Sequence, residues 1–339
     1  MNRIRSAGSG IPPSVPWPAR PVARQWRRLA ACAAPTERMS DALLDGLPEP
    51  ARRWLSAAIP VGTPLWDGVE FVGRGTIRLG SWRPFTAQQI LAVPDGFIWA
   101  ATARFAGLPV AGFDRYGSDR SGSDVGEMRW RLLGVVPVMT GSGPHVTRSA
   151  AGRFAAEATA LLPTAFRHAT WTADPDPDIA MAAWHVAGLD HVVRVRVDRD
   201  GGLSEVSIDR WGNPDGGPYG NHPFVVTVDA ERRFDGVRMI SAFRAGWRTD
   251  GSEPPAGEFF RAEITGVRFI GRPAPRGSVT CRSPQSGRTA TGADRVRTAP
   301  GSAGTSGRPT PRSPECSPRT GPGTSTAPAG GCGCSGSWS

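Results

Sequence analysis

Between Trp66 and Ile270 the chain alternates apolar and polar side chains in one short run after another, and a single helical stretch interrupts the pattern. Alternate side chains of a strand point to opposite faces, so a chain patterned this way builds a sheet with one packed face. In 97–105, Phe97, Trp99, Ala101, Ala103 and Phe105 share a face. Across 191–199, Val193, Val195 and Val197 alternate with Arg194, Arg196 and Asp198. Asp200-Gly201-Gly202 then turns the chain, and Val206, Ile208 and Arg210 alternate with Ser207 and Asp209, which is a hairpin signature. Weaker alternation recurs at 74–79, 127–133, 166–172, 224–230, 237–244 and 259–264. Ten or eleven strands joined by short polar turns imply an antiparallel sheet.

The interruption lies at 145–162, which also contains Arg148, Arg153 and Glu157. Val146, Ala150, Phe154, Ala158 and Leu161 form an apolar stripe at helical spacing, and Pro163 ends the run. Such a helix must lay its stripe on a sheet face or leave it in water. The expected fold is therefore α+β: a large curved antiparallel sheet of about ten strands, an open half-barrel, with its concave side covered by this mid-chain helix and by N-terminal helices. The N-terminal helices are expected at 41–45, with Ser40 as N-cap, and at Glu49–Ala58, with Pro50 in the first turn.

Composition sets the expected boundaries. In 272–339, Val279 and Val296 are the only aliphatic side chains larger than Ala, and Gly, Pro and Ser supply 33 of the 68 residues. Too little apolar surface is available there to offset a backbone ordering cost of about 1–2 kcal/mol per residue. Residues 1–39, interrupted by Pro12, Pro13, Pro16, Pro18 and Pro21, read the same way. A single domain over 40–271 is expected between a disordered basic N-terminal segment and a disordered tail.

The net charge of +10 belongs to those ends, which carry +6 (1–39) and +7 (272–339) against −3 for 40–271. All 40 basic residues are Arg. A body with an acidic balance is not patterned for specific nucleic-acid binding, which needs clustered cations facing phosphates. The cysteines Cys32, Cys281, Cys316, Cys332 and Cys334 also lie outside 40–271, so no disulfide framework or thiolate metal site is expected in the domain. No apolar run reaches the roughly 18 residues of a transmembrane helix. Leu29-Ala30-Ala31-Cys32 has the form of a lipobox, but Arg28 abuts Leu29 and no apolar segment precedes it, so a cytoplasmic location is expected.

Several stretches together carry a family likeness. They are Leu47-Pro48-Glu49-Pro50-Ala51-Arg52-Arg53-Trp54-Leu55, Trp82-Arg83-Pro84-Phe85-Thr86-Ala87-Gln88-Gln89, Gly96-Phe97-Ile98-Trp99-Ala100-Ala101, Leu133-Gly134-Val135-Val136-Pro137-Val138 and Gly152-Arg153-Phe154-Ala155-Ala156-Glu157. Over about 44–270 the chain resembles a bacterial family known only as a domain of unknown function. More loosely, strands, one helix and more strands, with the hairpin at Arg199-Asp200-Gly201-Gly202-Leu203-Ser204, resemble the lipoprotein-carrier half-barrels. That second resemblance implies a fold that cradles acyl chains, although this chain lacks the export signal of those carriers.

Catalytic signatures are sparse. The histidines His145, His168, His185, His191 and His222 show no metal-ligand spacing, although His185 and His191 are placed to face each other across a hairpin. Asp174, Asp176 and Asp178 alternate with prolines and read as a solvated turn rather than a calcium loop. There is no nucleophile elbow and no phosphate-binding glycine turn before a helix. No cofactor is implied. Arg153 and Glu157, four residues apart on the helix, form either a surface ion pair or the polar end of a site. Nine tryptophans lie within the body; most are expected in the core, and rings beyond what the core needs would line an apolar pocket.

The leading expectation is a non-enzymatic binder of a hydrophobic or amphipathic small molecule. Trp99, Trp130 and Trp171 form its apolar wall, and Arg153 with Glu157 its polar end. The alternatives are an enzyme of unknown class using Glu157 or Asp114 as acid or base, and a partner-binding structural domain. Composition also predicts that deleting residues 272–339 leaves folding intact. Thermal unfolding of the full chain and of a chain ending at Gly271 should give the same midpoint, and a sharp drop would show that the tail belongs to the fold.

Overall fold

The computed structural model describes residues 14–119, 121–248 and 257–271. Its frame is one antiparallel sheet of thirteen strands, laid down as two meanders. The first runs outward through β1 (Gly68–Leu79), β2 (Ser81–Ala92), β3 (Gly96–Phe105), β4 (Leu108–Ser118), β5 (Asp124–Leu132) and β6 (Val136–Ser142). The second runs inward through β7 (Thr170–Ala173), β8 (Ile179–Val186), β9 (Leu189–Val197), β10 (Leu203–Gly212), β11 (Gly220–Phe234), β12 (Val237–Trp247) and β13 (Glu258–Ile270). β1 and β13 pair at the centre, and β6 and β7 are the two edges. The architecture is the expected open α+β half-barrel, with more strands than the alternation predicts.

The added strands have local reasons for being hard to read. β2 carries Pro84, but its pairing with β3 begins only at Phe85, so the missing N–H falls beyond that ladder. The β3–β4, β8–β9 and β11–β12 hairpins close through Ala106-Gly107, Ala187-Gly188 and Asp235-Gly236, both residues of each pair at positive φ. This is the hairpin turn whose twist matches the strands it joins. At the centre, β1 slips register against β13 between Val72 and Gly73. A Cβ at Gly75 would stand 1.9 Å from the Arg261 carbonyl oxygen, so glycine permits the close approach there.

Because β6 and β7 are opposite edges, the chain between them must cross the sheet. It does so as α3 (Pro144–Leu161), 18 residues or roughly 27 Å of helix. α3 packs on β4, β5 and β6 in one half and on β8, β9, β10 and β12 in the other. Its predicted stripe is the packed face. Ala150 and Ala158 are buried, and Phe154 is 1 % exposed, its ring 5.5 Å from that of Tyr116 and 6.5 Å from that of Trp184. α2 (Glu49–Ala58) joins the same core through Trp54 and Leu55 and ends where expected.

Three expectations need correction. Residues Asp41–Leu44 form a short 3-10 turn, and Ser40 makes no side-chain capping bond. The strand expected at 166–172 is a 3-10 turn, Pro163–His168, followed by the short β7. Residues 14–39, expected to be disordered, are folded. A 3-10 turn at Trp17–Val22 leads into α1 (Ala23–Leu29), and Ala19, Trp26 and Leu29 are buried against Ile90, Ala92, Ile98, Ala100, Phe113 and Ile270. Those sheet residues are out of phase with the ones facing α3, so α1 covers the opposite face. The proline-rich composition misleads because prolines at the start of a helical turn cost little. Gln25 Nε2 donates to the Tyr116 carbonyl at 3.0 Å, and Arg28 Nη2 donates to that of Ser118 at 2.9 Å. The remaining expectations of disorder, 1–13 and 272–339, fall outside the described residues. No helix among the described residues is long and apolar enough to cross a membrane.

Phe154→Ala removes a fully buried ring at the point where α3 meets the sheet. It is expected to cost about 3–5 kcal/mol in urea unfolding, and a neutral result would mean that α3 does not anchor the core.

Candidate functional site

α3 does not rest flat on the sheet. Between its C-terminal half and the central strands lies a cavity of about 180 Å3. The helix contributes Arg153, Ala156, Glu157, Ala160 and Leu161, whose spacing defines a second stripe beside the packed one. The small side chains of Ala156 and Ala160 leave the space between the helix and the facing aromatic rings unfilled. Two groups of rings make the wall. Phe85 and Phe260 stack at 5.0 Å, Trp99 stands edge-on to Phe85 at 5.7 Å, Phe243 is 5.9 Å from Phe260, and Phe224 lies 5.1 Å from Trp247.

One end is charged. Arg153 Nε donates to Glu157 Oε1 at 2.8 Å, and Arg153 Nη1 donates to Asp114 Oδ2 at 3.1 Å. The second oxygen of each carboxylate is also engaged: Gln89 Nε2 donates to Glu157 Oε2 at 2.6 Å and Trp130 Nε1 to Asp114 Oδ1 at 2.9 Å. The Arg153 guanidinium also lies over the Phe97 ring at 4.7 Å and the Trp99 ring at 5.4 Å. Burial raises the Asp114 carboxyl above its ordinary value, against the opposing pull of Arg153 and the Trp130 indole. Burial also works against the charge of Arg153, but Glu157 and Asp114 outweigh it and hold that guanidinium above its usual value.

A second guanidinium, Arg210 of β10, lines the cavity beside this cluster. Its Nε donates to the Ser149 carbonyl at 3.1 Å, and its guanidinium lies 5.2 Å from the Phe224 ring and 5.4 Å from that of Trp247. At the rim, Arg74 pairs with Glu263 at 2.8 Å.

The structure therefore brings Trp99, Arg153, Glu157 and Asp114 to one cavity. Trp130 stands one layer behind, its ring 5.6 Å from that of Trp99. Trp171 is elsewhere: it packs on Trp54 at 6.1 Å and donates its indole N–H to the Phe166 carbonyl at 2.9 Å. Its strand, β7, is the edge of the sheet, and Trp171 is not among the residues that line the cavity. Sequence reasoning missed Gln89 and Arg210. The signal for both was parity, since Arg210 is in phase with the buried Val206 and Ile208, and Gln89 with Phe85 and Leu91.

The histidines separate similarly. His185 Nδ1 pairs with Asp190 at 2.8 Å on the exposed side, whereas His191 is buried under α3 beside Gly152, where desolvation lowers its pKa. Asp174 and Asp176 accept backbone N–H bonds from residues two further on, as a turn does. Among the described residues, no group of three or more His, Cys, Asp or Glu side chains is placed to hold a metal ion. Away from the cavity, the adjoining β3–β4 and β5–β6 turns expose Phe105, Leu108, Leu133, Val135 and Val136.

The family of unknown function DUF6544 matches residues 37–259, and the chain belongs to it. No curated protein matches the chain. Among solved structures it is similar to a putative outer membrane lipoprotein-sorting protein domain from Vibrio parahaemolyticus, at 10 % identity and TM-score 0.35, covering 67 % of this chain and 93 % of that one. It is also similar to a LolA superfamily protein from Nitrosomonas europaea, at 9 % identity and TM-score 0.30, with 67 % and 93 % covered. A DUF1329 family protein from Desulfovibrio piger follows at 11 % identity and TM-score 0.30, with 62 % and 88 % covered.

Arg153, with a side chain 21 % exposed, holds two carboxylates that are slightly more buried than itself. Arg153→Met should cost about 3–5 kcal/mol, because removing one partner leaves uncompensated buried charge. Without Arg153, the Asp114 pKa in the folded protein rises further above its unfolded value of 3.8. The penalty is then full above the folded pKa and is lost as pH falls through it. Unfolding free energies of the variant and wild type should converge on acidification, and a gap independent of pH would rule out a charge origin.

Proposed function

We propose that this protein is a non-enzymatic binder of a hydrophobic or amphipathic small molecule, held between α3 and the sheet. The observation that supports the reading most is the division of labour in the cavity. An aromatic wall offers apolar surface, while all four oxygens of Asp114 and Glu157 already accept hydrogen bonds from the protein. Each of these carboxylates is held both by Arg153 and by a second donor, Gln89 for Glu157 and Trp130 for Asp114, the arrangement of a structural tie. They are better suited to holding Arg153 and the helix in place than to proton transfer.

The volume bounds the occupant. An apolar cavity of about 150 Å3 admits benzene, so 180 Å3 suits a single ring or a short alkyl segment, with any longer part leaving through the mouth. Binding should be driven by burial of that segment, at about 25 cal/mol per Å2 of apolar surface removed from water.

Ala160 faces the cavity from α3 and leaves room that a larger side chain would fill. Calorimetric titration with octan-1-ol should show binding to wild type and none to Ala160→Phe, the variant keeping its fold by circular dichroism. Native mass spectrometry of purified wild type should show a co-purified small molecule that Ala160→Phe lacks. If wild type neither binds octan-1-ol nor carries such a molecule, the binder reading is wrong.

A further inference from the structure

Three arginines line the cavity, and two are neutralised. Arg74 has Glu263, and Arg153 has Glu157 and Asp114. Among the described residues, no carboxylate lies within ion-pair distance of Arg210, although Asp114 and Glu157 are close enough to act on it electrostatically. Among the described residues its one hydrogen bond runs from Nε to the Ser149 carbonyl, and neither Nη nitrogen has a protein acceptor there. Phe224 and Trp247 flank the group with their rings. A positive charge placed among rings, held by one bond at its base, resembles a receptor for a planar anion more than a structural tie. A tie alone would be made as well by a neutral donor, without the cost of removing a charge from water.

We infer that Arg210 receives the anionic head group of the bound molecule, so that the ligand of this cavity is an amphiphile with a carboxylate or similar oxyanion at one end. The inference rests on the binder reading and extends it to the chemical class of the ligand. The guanidinium fork matches a carboxylate through two parallel N–H···O bonds, which a lysine ammonium cannot reproduce. The apolar tail of such a molecule would run along the Phe224 and Phe243 rings that line the cavity. Burial lowers the Arg210 pKa to about 9, with Arg153 adding to the effect and Glu157 and Asp114 opposing it, so the group is still charged at neutral pH.

The test compares octanoate with octan-1-ol, which share a chain length and differ in the head group. Wild type at neutral pH should bind octanoate at least tenfold more tightly. Arg210→Gln should lose that preference while still binding octan-1-ol, and Arg210→Lys should keep part of it. Octan-1-ol binding with no preference for octanoate in wild type would overturn the assignment of the head group and leave the binder reading standing. Failure of wild type to bind either compound would sink both. If Arg210→Gln does not fold, the wild-type ratio and the intermediate ratio in Arg210→Lys decide the matter. A preference undiminished in a folded Arg210→Gln places the anion elsewhere and overturns the inference.

Discussion

The connection between the two edge strands is the constraint on which the rest of the structure depends. A thirteen-stranded sheet made of two meanders leaves the chain at one edge, β6, and must restart it at the other, β7. One segment crosses that distance, and it crosses as a helix because a bare backbone laid over an apolar sheet would strand its N–H and C=O groups. α3 is thus both a connection and a lid. Its packed stripe, centred on Phe154, fixes its height over the sheet, and its second stripe, from Arg153 to Leu161, faces whatever space remains.

The charged cluster follows from that placement. Glu157 and Arg153 come from the helix, Gln89 and Asp114 from the first meander, and Arg210 from the second. Hydrogen bonds from Arg153 to Asp114 and from Arg210 to the Ser149 carbonyl therefore tie the helix to both halves of the sheet. Buried ion pairs add little net stability over apolar packing, because desolvation offsets most of their attraction. Their effect is geometric: they favour one rotation of α3 about its axis, the one that turns Ala156 and Ala160 toward the aromatic wall.

Much of this was legible in the sequence. The 3.6-residue stripe of α3 and the Pro50 start of α2 are local signals, and both helices fall where those signals put them. The alternation around the Asp200-Gly201-Gly202 turn located β9 and β10 for the same reason. What failed required knowledge of distant partners. The N-terminal segment is broken by prolines, and Trp26 and Leu29 are buried only because Ile98 and Phe113 present a second apolar face to them. Alternation tells which residues share a face of a strand, not whether the opposite face will also be covered. Trp171 shows the same limit in reverse: it falls on the short edge strand β7, and its packing on Trp54 of α2 could be known only from the arrangement of those distant elements.

Arg210 shows how far parity can be pushed. In a strand reading Val206, Ile208, Arg210 on one face, the third member contradicts the first two, and a charge in phase with buried aliphatics must find a partner, a rim or a cavity. For Arg153 the partners are on neighbouring elements, and for Arg74 the rim supplies Glu263. Arg210 has a carbonyl, two rings and a cavity. Local sequence–structure conflicts of this kind persist where the conflict itself serves a purpose. In this fold each half of the sheet brings one cation and one carboxylate to the cavity, Arg74 and Asp114 from the first meander and Arg210 and Glu263 from the second. Arg74 pairs with Glu263 across the centre and Asp114 with Arg153 of the helix, so among the described residues the way the two meanders meet beneath one helix leaves Arg210 as the lining cation without an ion-pair partner.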